Sequence, residues 1–126
     1  MSAAKQNAKN RRDGAAFESA VVKYVRERGL EADRLRLSGK QDEGDVVVRD
    51  KVGVAAVMET KAGKNLRVRH WWDEEAVPEA KNYADRRSML EPPMPALVLK
   101  SHNKNVSKSL VVISLEDYVD LLGGHA

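Results

Sequence analysis

The stretch GDVVVRDKVGVAAVMETK, residues 44–61, decides the fold and carries the candidate chemistry. It reads as two strands, Asp45–Arg49 and Val54–Lys61, joined by a tight turn. Both strands are apolar on both faces (Val46, Val47, Val48; Val54, Ala55, Ala56, Val57, Met58), as strands covered by helices on two sides are. A three-residue loop, Lys51-Val52-Gly53, places glycine where a left-handed conformation is wanted. That register pairs Asp50 with Val54 and, further along, sets Asp45 opposite Glu59. Directly opposed side chains start roughly 5 Å apart.

Two carboxylates facing each other on largely buried strands repel, and desolvation adds to the cost. A divalent cation between them reverses the sign of that interaction. Lys61 follows Glu59 by two residues and therefore projects from the same face. Thr60 points the other way, but its backbone carbonyl is a further oxygen ligand. The set amounts to half of an octahedral site, open to water and phosphate, as magnesium prefers. The bland alternative is a salt-bridged strand end, since Glu-x-Lys alone is a weak signal.

Outward from the hairpin, residues 1–13 (MSAAKQNAKNRRD) are polar and basic, and read as a flexible arm preceding a single domain over 14–126. A frayed terminus and a phosphate-contacting arm through Arg11 and Arg12 are both open. Residues 14–28 read as a helix with Phe17, Val21, Tyr24 and Val25 on one stripe, Asp13 as its cap and Gly29 past its end. By periodicity Glu18 is an ordinary first-turn acid. Residues 30–38 alternate as a strand, and 38–44 form a polar loop whose Asp42 reads as a solvated acid.

Residues 62–70 read as a basic loop. Residues 71–87 read as a helix that Pro78 either kinks or restarts. Trp72 fits the core and Trp71 could face a partner. Glu91–Pro95 breaks the chain, strands follow at 96–100 and 109–113, and Ser114 caps a last helix ending before Gly123. The element order implies an α/β fold, a mixed sheet flanked by helices.

Composition narrows the chemistry. The 126 residues suffice for one ordinary domain, 42% are apolar, and the net charge is +3. There is no cysteine, so disulfides, thiolate metal sites and cysteine nucleophiles are excluded. No signal-peptide core or membrane-length apolar run is present, and the expected setting is cytoplasmic, with no membrane partner.

Asp45…Glu59-Thr60-Lys61 resembles the motif of the PD-(D/E)XK nuclease superfamily. The wider layout is similar to the Holliday junction resolvases of archaeal type and related small phage nucleases. It includes 14–18 (GAAFE) opening the first helix, 37–39 (LSG), 44–46 (GDV), the tryptophan-led helix and 95–100 (PALVLK). Gly44 stands where that family commonly has proline, and Pro78 departs from its second helix. The resemblance implies a restriction-endonuclease-like sheet and a Mg²⁺-dependent endonuclease, with Mn²⁺ as a substitute, acting in DNA recombination and repair as a homodimer on four-way junctions. Asp45, Glu59 and the Thr60 carbonyl would hold metal, Glu18 would join them, and Lys61 would complete the catalytic set. Products would carry 5′-phosphate and 3′-hydroxyl ends.

DNA contact is expected from basic and polar residues flanking the acidic centre: Arg11, Arg12, Arg34, Arg36, Ser38, Lys40, Lys64, Arg67, Arg69, His70 and Lys100, with Lys104 and Lys108 as further candidates. Such residues meet phosphate oxygens and read backbone shape, and no base code is apparent. Three readings compete: a related endonuclease on duplex, flap or restriction-type substrates, a non-catalytic DNA-binding module of the same fold, and a small structural interaction protein, which explains the basic surface but not the hairpin.

Overall fold

A computed structural model describes residues 2–35 and 42–125. Its centre is a five-stranded mixed sheet in the order β1-β2-β3-β4-β5. The strands are β1 Glu31–Arg34, β2 Val46–Arg49, β3 Val54–Lys61, β4 Met94–Leu99 and β5 Leu110–Val112. Only β3 and β4 run parallel. Helix α1, Ala3–Glu27, covers one face. The other is covered by α2, Val68–Trp71, a π-helical turn, Trp72–Ala76, and α3, Val77–Arg86. A short helix α4, Leu115–Leu121, follows β5. No helix among the described residues is long and apolar enough to cross a membrane.

The continuous apolar runs of β2 and β3 have the expected cause. Val46, Val48 and Ala56 pack with Val22 of α1, while Val47 and Val57 pack with Ala80 and Tyr83 of α3. Burial on both faces removes the hydrophobic–polar alternation.

The hairpin register deep in the sheet is the anticipated one: Val46 pairs with Met58 and Val48 with Ala56, so Asp45 comes opposite Glu59 just past the ladder's end. The turn differs. Arg49, not Asp50, pairs with Val54, and an irregularity between Val48 and Arg49 absorbs the extra residue. Asp50 closes the loop itself, its Oδ1 accepting from the Val52 N–H at 2.8 Å and the Gly53 N–H at 3.1 Å.

Several boundaries move. Residues 3–13, read as an arm, continue α1. Ser2 rather than Asp13 caps it, its Oγ accepting from the Lys5 N–H at 3.2 Å. That segment has no apolar stripe because it touches no core, and a Lys9–Asp13 pair on successive turns supports it. β1 ends at Arg34, and residues 36–38 of its expected span lie outside the described residues. The second helix starts at Val68, inside the expected loop. Pro78 is resolved by the π-helical turn: the Val77 N–H reaches back five residues to the Trp72 carbonyl, and Pro78 then enters α3 in its first turn. β4 includes Met94 and Pro95, which were expected to break the chain. β5 pairs only with Leu97–Leu99, so Pro95 has a strand on one side only and its missing donor leaves no gap. Ser114 caps α4 as expected, accepting from the Asp117 N–H at 3.0 Å.

Gly44 positions the site. Its φ is +99°, and a Cβ there would lie 2.6 Å from Val57 Cγ1. Both the left-handed backbone and the close approach demand glycine. Gly44→Ala is expected to cost about 1–3 kcal/mol in denaturant unfolding, through strain and displacement of Val57. A midpoint equal to wild type would show that the 42–45 segment is not held against β3.

Candidate metal centre

Asp45 and Glu59 meet at the open end of the β2–β3 pair. Thr60 donates to Asp45 Oδ2 twice, from its N–H at 2.7 Å and its hydroxyl at 3.0 Å. These bonds fix the carboxylate's orientation and leave Oδ1 outside them. The structure therefore gives Thr60 a role that spacing did not reveal: it positions Asp45.

Glu59 is 5% exposed, and its Oε2 has no hydrogen-bond donor. Its carboxyl lies within hydrogen-bonding range of both Glu79 and Asp45. Burial first, and then these two acids, push it up to about 12. Glu79, on α3, is buried to the same extent, and its Oε2 is also without a donor. Its carboxyl is raised as well, by burial and by Asp42 and Asp45. One oxygen each from Asp42, Glu59 and Glu79 lie within 4.8 Å of one another.

Glu18 reaches this centre from α1. Burial and the Asp45 charge raise its carboxyl, while Arg34 opposes them through an ion pair at 3.2 Å. A first-turn dipole role does not describe it, because α1 begins fifteen residues earlier, at Ala3.

Lys61 is clamped rather than free. Its Nζ is 2.7 Å from Glu75 Oε1 and 5.4 Å from the centre of the Trp71 ring. Burial works to lower its pKa, but the Glu75 bond and the charges of Glu59, Glu75 and Asp45 outweigh it and hold the ammonium above its ordinary value. Trp71 and Trp72 are both half-buried against Leu97 and Leu99. The division anticipated between a core Trp72 and an outward Trp71 is thus not sharp.

Three acids escaped the sequence reading. Glu79 left a signal: it sits three residues after Ala76 and four before Tyr83, within the buried stripe of α3, where a lone acid is out of place. Glu75 left none, since Asp73 and Glu74 look identical by spacing. Asp42, read as a solvated loop acid, is exposed but belongs to the cluster. Its Oδ1 accepts from the Gly44 N–H at 2.9 Å, and Asn82 Nδ2 donates to its carbonyl at 2.9 Å. Glu43 beside it is buried and ion-paired to Arg86 and Arg87, tying the segment to α3.

The basic residues divide. Arg11, Arg12, Lys64, Arg67, His70, Lys104 and Lys108 are exposed, and Lys100 is half-buried at the end of β4. Its N–H donates to the Lys61 carbonyl at 3.0 Å. A cleft of about 540 Å³ between the start of α1 and the segment after β3 is lined by Lys9, Lys64 and His102. Arg34 is engaged by Glu18 and Ser19, and Arg69 is held by Asp73 through two bonds. Arg36, Ser38 and Lys40 lie outside the described residues.

No family model matches the chain, and no curated protein matches it either.

Proposed function

We propose that this protein is a divalent-metal-dependent DNA endonuclease of restriction-endonuclease-like fold that resolves four-way junctions. The observation that carries the reading is the buried Glu59 carboxylate, which faces Asp45 and Glu79 with an oxygen that no donor satisfies. Burying such an acid among acids costs free energy, and a bound cation offsets that cost. The donors are all oxygens, which suits Mg²⁺ or Mn²⁺.

Asp45 and Glu59 would hold the ion, with Glu18 beside Asp45. A bound divalent cation supplies a lowered water pKa and charge neutralisation at the phosphate. Lys61 stays protonated through Glu75 and presents its ammonium to the negative charge on the oxygens of the pentacovalent phosphoryl group. Thr60 keeps Asp45 in place, and Arg34 balances the charge of Glu18. The cleft with Lys9 and Lys64 and the exposed Arg67 and His70 provide phosphate contacts beside the acids. Leu110 on β5, Leu115 and Leu121 on α4, and Leu122 just past it are each more than half exposed, which leaves apolar area for the homodimer implied by the resemblance.

Wild-type protein with Mg²⁺ is expected to cut a synthetic four-way junction in preference to a linear duplex of the same sequence. Asp45→Asn should cut at least ~10²-fold more slowly. Wild-type rates from Asp45→Asn would overturn the site. Equal cutting of junction and duplex would favour a related endonuclease. Binding without cutting in Mg²⁺ or Mn²⁺ would favour a DNA-binding module.

A further inference from the structure

We propose that Asp42, Glu59 and Glu79 form a second divalent-cation position, on the α3 side of Glu59, distinct from the one at Asp45 and Glu18. It rests on the nuclease reading above and assigns that site a second ion and two ligands the hairpin motif lacks. The three carboxylates supply one oxygen each within 4.8 Å of one another, a separation one ion can span. The independent observation is burial: Glu79 is 5% exposed, and its Oε2, like that of Glu59, has no donor.

The placement is built rather than accidental. Glu79 projects from the buried stripe of α3 between Ala76 and Tyr83. Asp42 is held by its carbonyl to Asn82 and by its Oδ1 to the Gly44 N–H, and Glu43 is ion-paired to Arg86 and Arg87. The loop is thereby fastened to the helix that carries Glu79. Asp42 itself is exposed, which gives a hydrated cation a way in. A shared proton between Glu59 and Glu79 is the competing arrangement, and it needs no carboxylate at position 42, so the two differ in what Asp42→Asn does to metal binding. Two ions sharing one carboxylate form the clamp used on both oxygens of an in-line phosphoryl displacement.

The test is Mn²⁺ binding to the 126-residue protein without DNA, followed by calorimetry and electron paramagnetic resonance. Wild type should bind two ions with a magnetically coupled spectrum. Glu79→Gln should bind one, uncoupled, and Asp45→Asn should also bind one. Asp42→Asn, an exposed change that does not threaten folding, should weaken one of the two ions by at least ~10-fold. If wild type binds a single ion that neither Glu79→Gln nor Asp42→Asn alters, but that Asp45→Asn removes, the second position is overturned and the nuclease reading stands. If wild type binds none, both fall.

Discussion

Lys61→Met is expected to lower DNA cleavage about 10²–10³-fold at saturating Mg²⁺ while leaving metal affinity intact. Methionine keeps an apolar stem against Trp71 and deletes only the charge. The ammonium lies in the field of Asp45 and Glu59, so its loss removes a positive charge that competes with a cation. Mn²⁺ should therefore bind as tightly as in wild type or slightly more tightly. A loss of activity with no loss of metal separates a role in the transition state from one in assembling the site. Glu75→Gln acts on the same group at one remove. It takes away the 2.7 Å ion pair and lets the ammonium swing, and a fall of about 10-fold is expected. Lys61→Arg should not rescue cleavage, because a planar fork does not replace a point charge between Glu75 and Trp71. Cleavage by Lys61→Met within about 3-fold of wild type would remove Lys61 from the mechanism.

What the sequence disclosed follows from the range of the interactions involved. The pairing of Asp45 with Glu59 was legible because a strand repeats every two residues and a one-residue slip would turn every side chain over. Yet the turn was placed one residue off, and the irregularity at Val48/Arg49 restored the register. The first helix was legible only from Gly14 onward, just ahead of Phe17, where its stripe meets the sheet. Residues 3–13 are helical without any buried face, so nothing periodic marks them. Pro78 announced a disturbance but not its form. The wide turn at Trp72–Ala76 depends on how far the helix must rotate to lay both tryptophans on Leu97 and Leu99. The candidate site shows the same division. Its hairpin members share a short span of chain. Glu79 is marked in the spacing only as a lone acid in the buried stripe of α3, while Glu75 and the placement of Asp42 depend on how the π-helical turn and α3 pack on the sheet, of which spacing holds no record.

Glu59→Gln is expected to make the metal-free protein more stable at pH 8, by about 2 kcal/mol or roughly 8 °C in Tm, and to abolish stabilisation by Mg²⁺. The sign follows from proton linkage. The Glu59 carboxyl is raised to about 12 and that of Glu79 to about 8, against an ordinary value of 4.5. Folded protein thus holds protons that the unfolded chain has released. The stability of the metal-free wild type is full below pH 4.5 and declines as pH rises toward those values. Glutamine escapes the decline at position 59 without repacking, since its volume is the same. Its amide also donates to the Asp45 and Glu79 carboxylates, which glutamate can do only when protonated. The gain should accordingly shrink toward zero at pH 5. Mg²⁺ should reverse the ranking at pH 8, because the ion binds the folded wild type alone and replaces those protons. Its effect on wild-type Tm should grow from pH 5 to pH 8, opposite to the trend of the metal-free protein. Thermal unfolding of both proteins at the two pH values, with EDTA and with Mg²⁺, reads all of this. A metal-free Glu59→Gln that melts below wild type at pH 8 would mean that the carboxylate already has a partner within the fold. The unsatisfied oxygen that motivates a cation would then be gone.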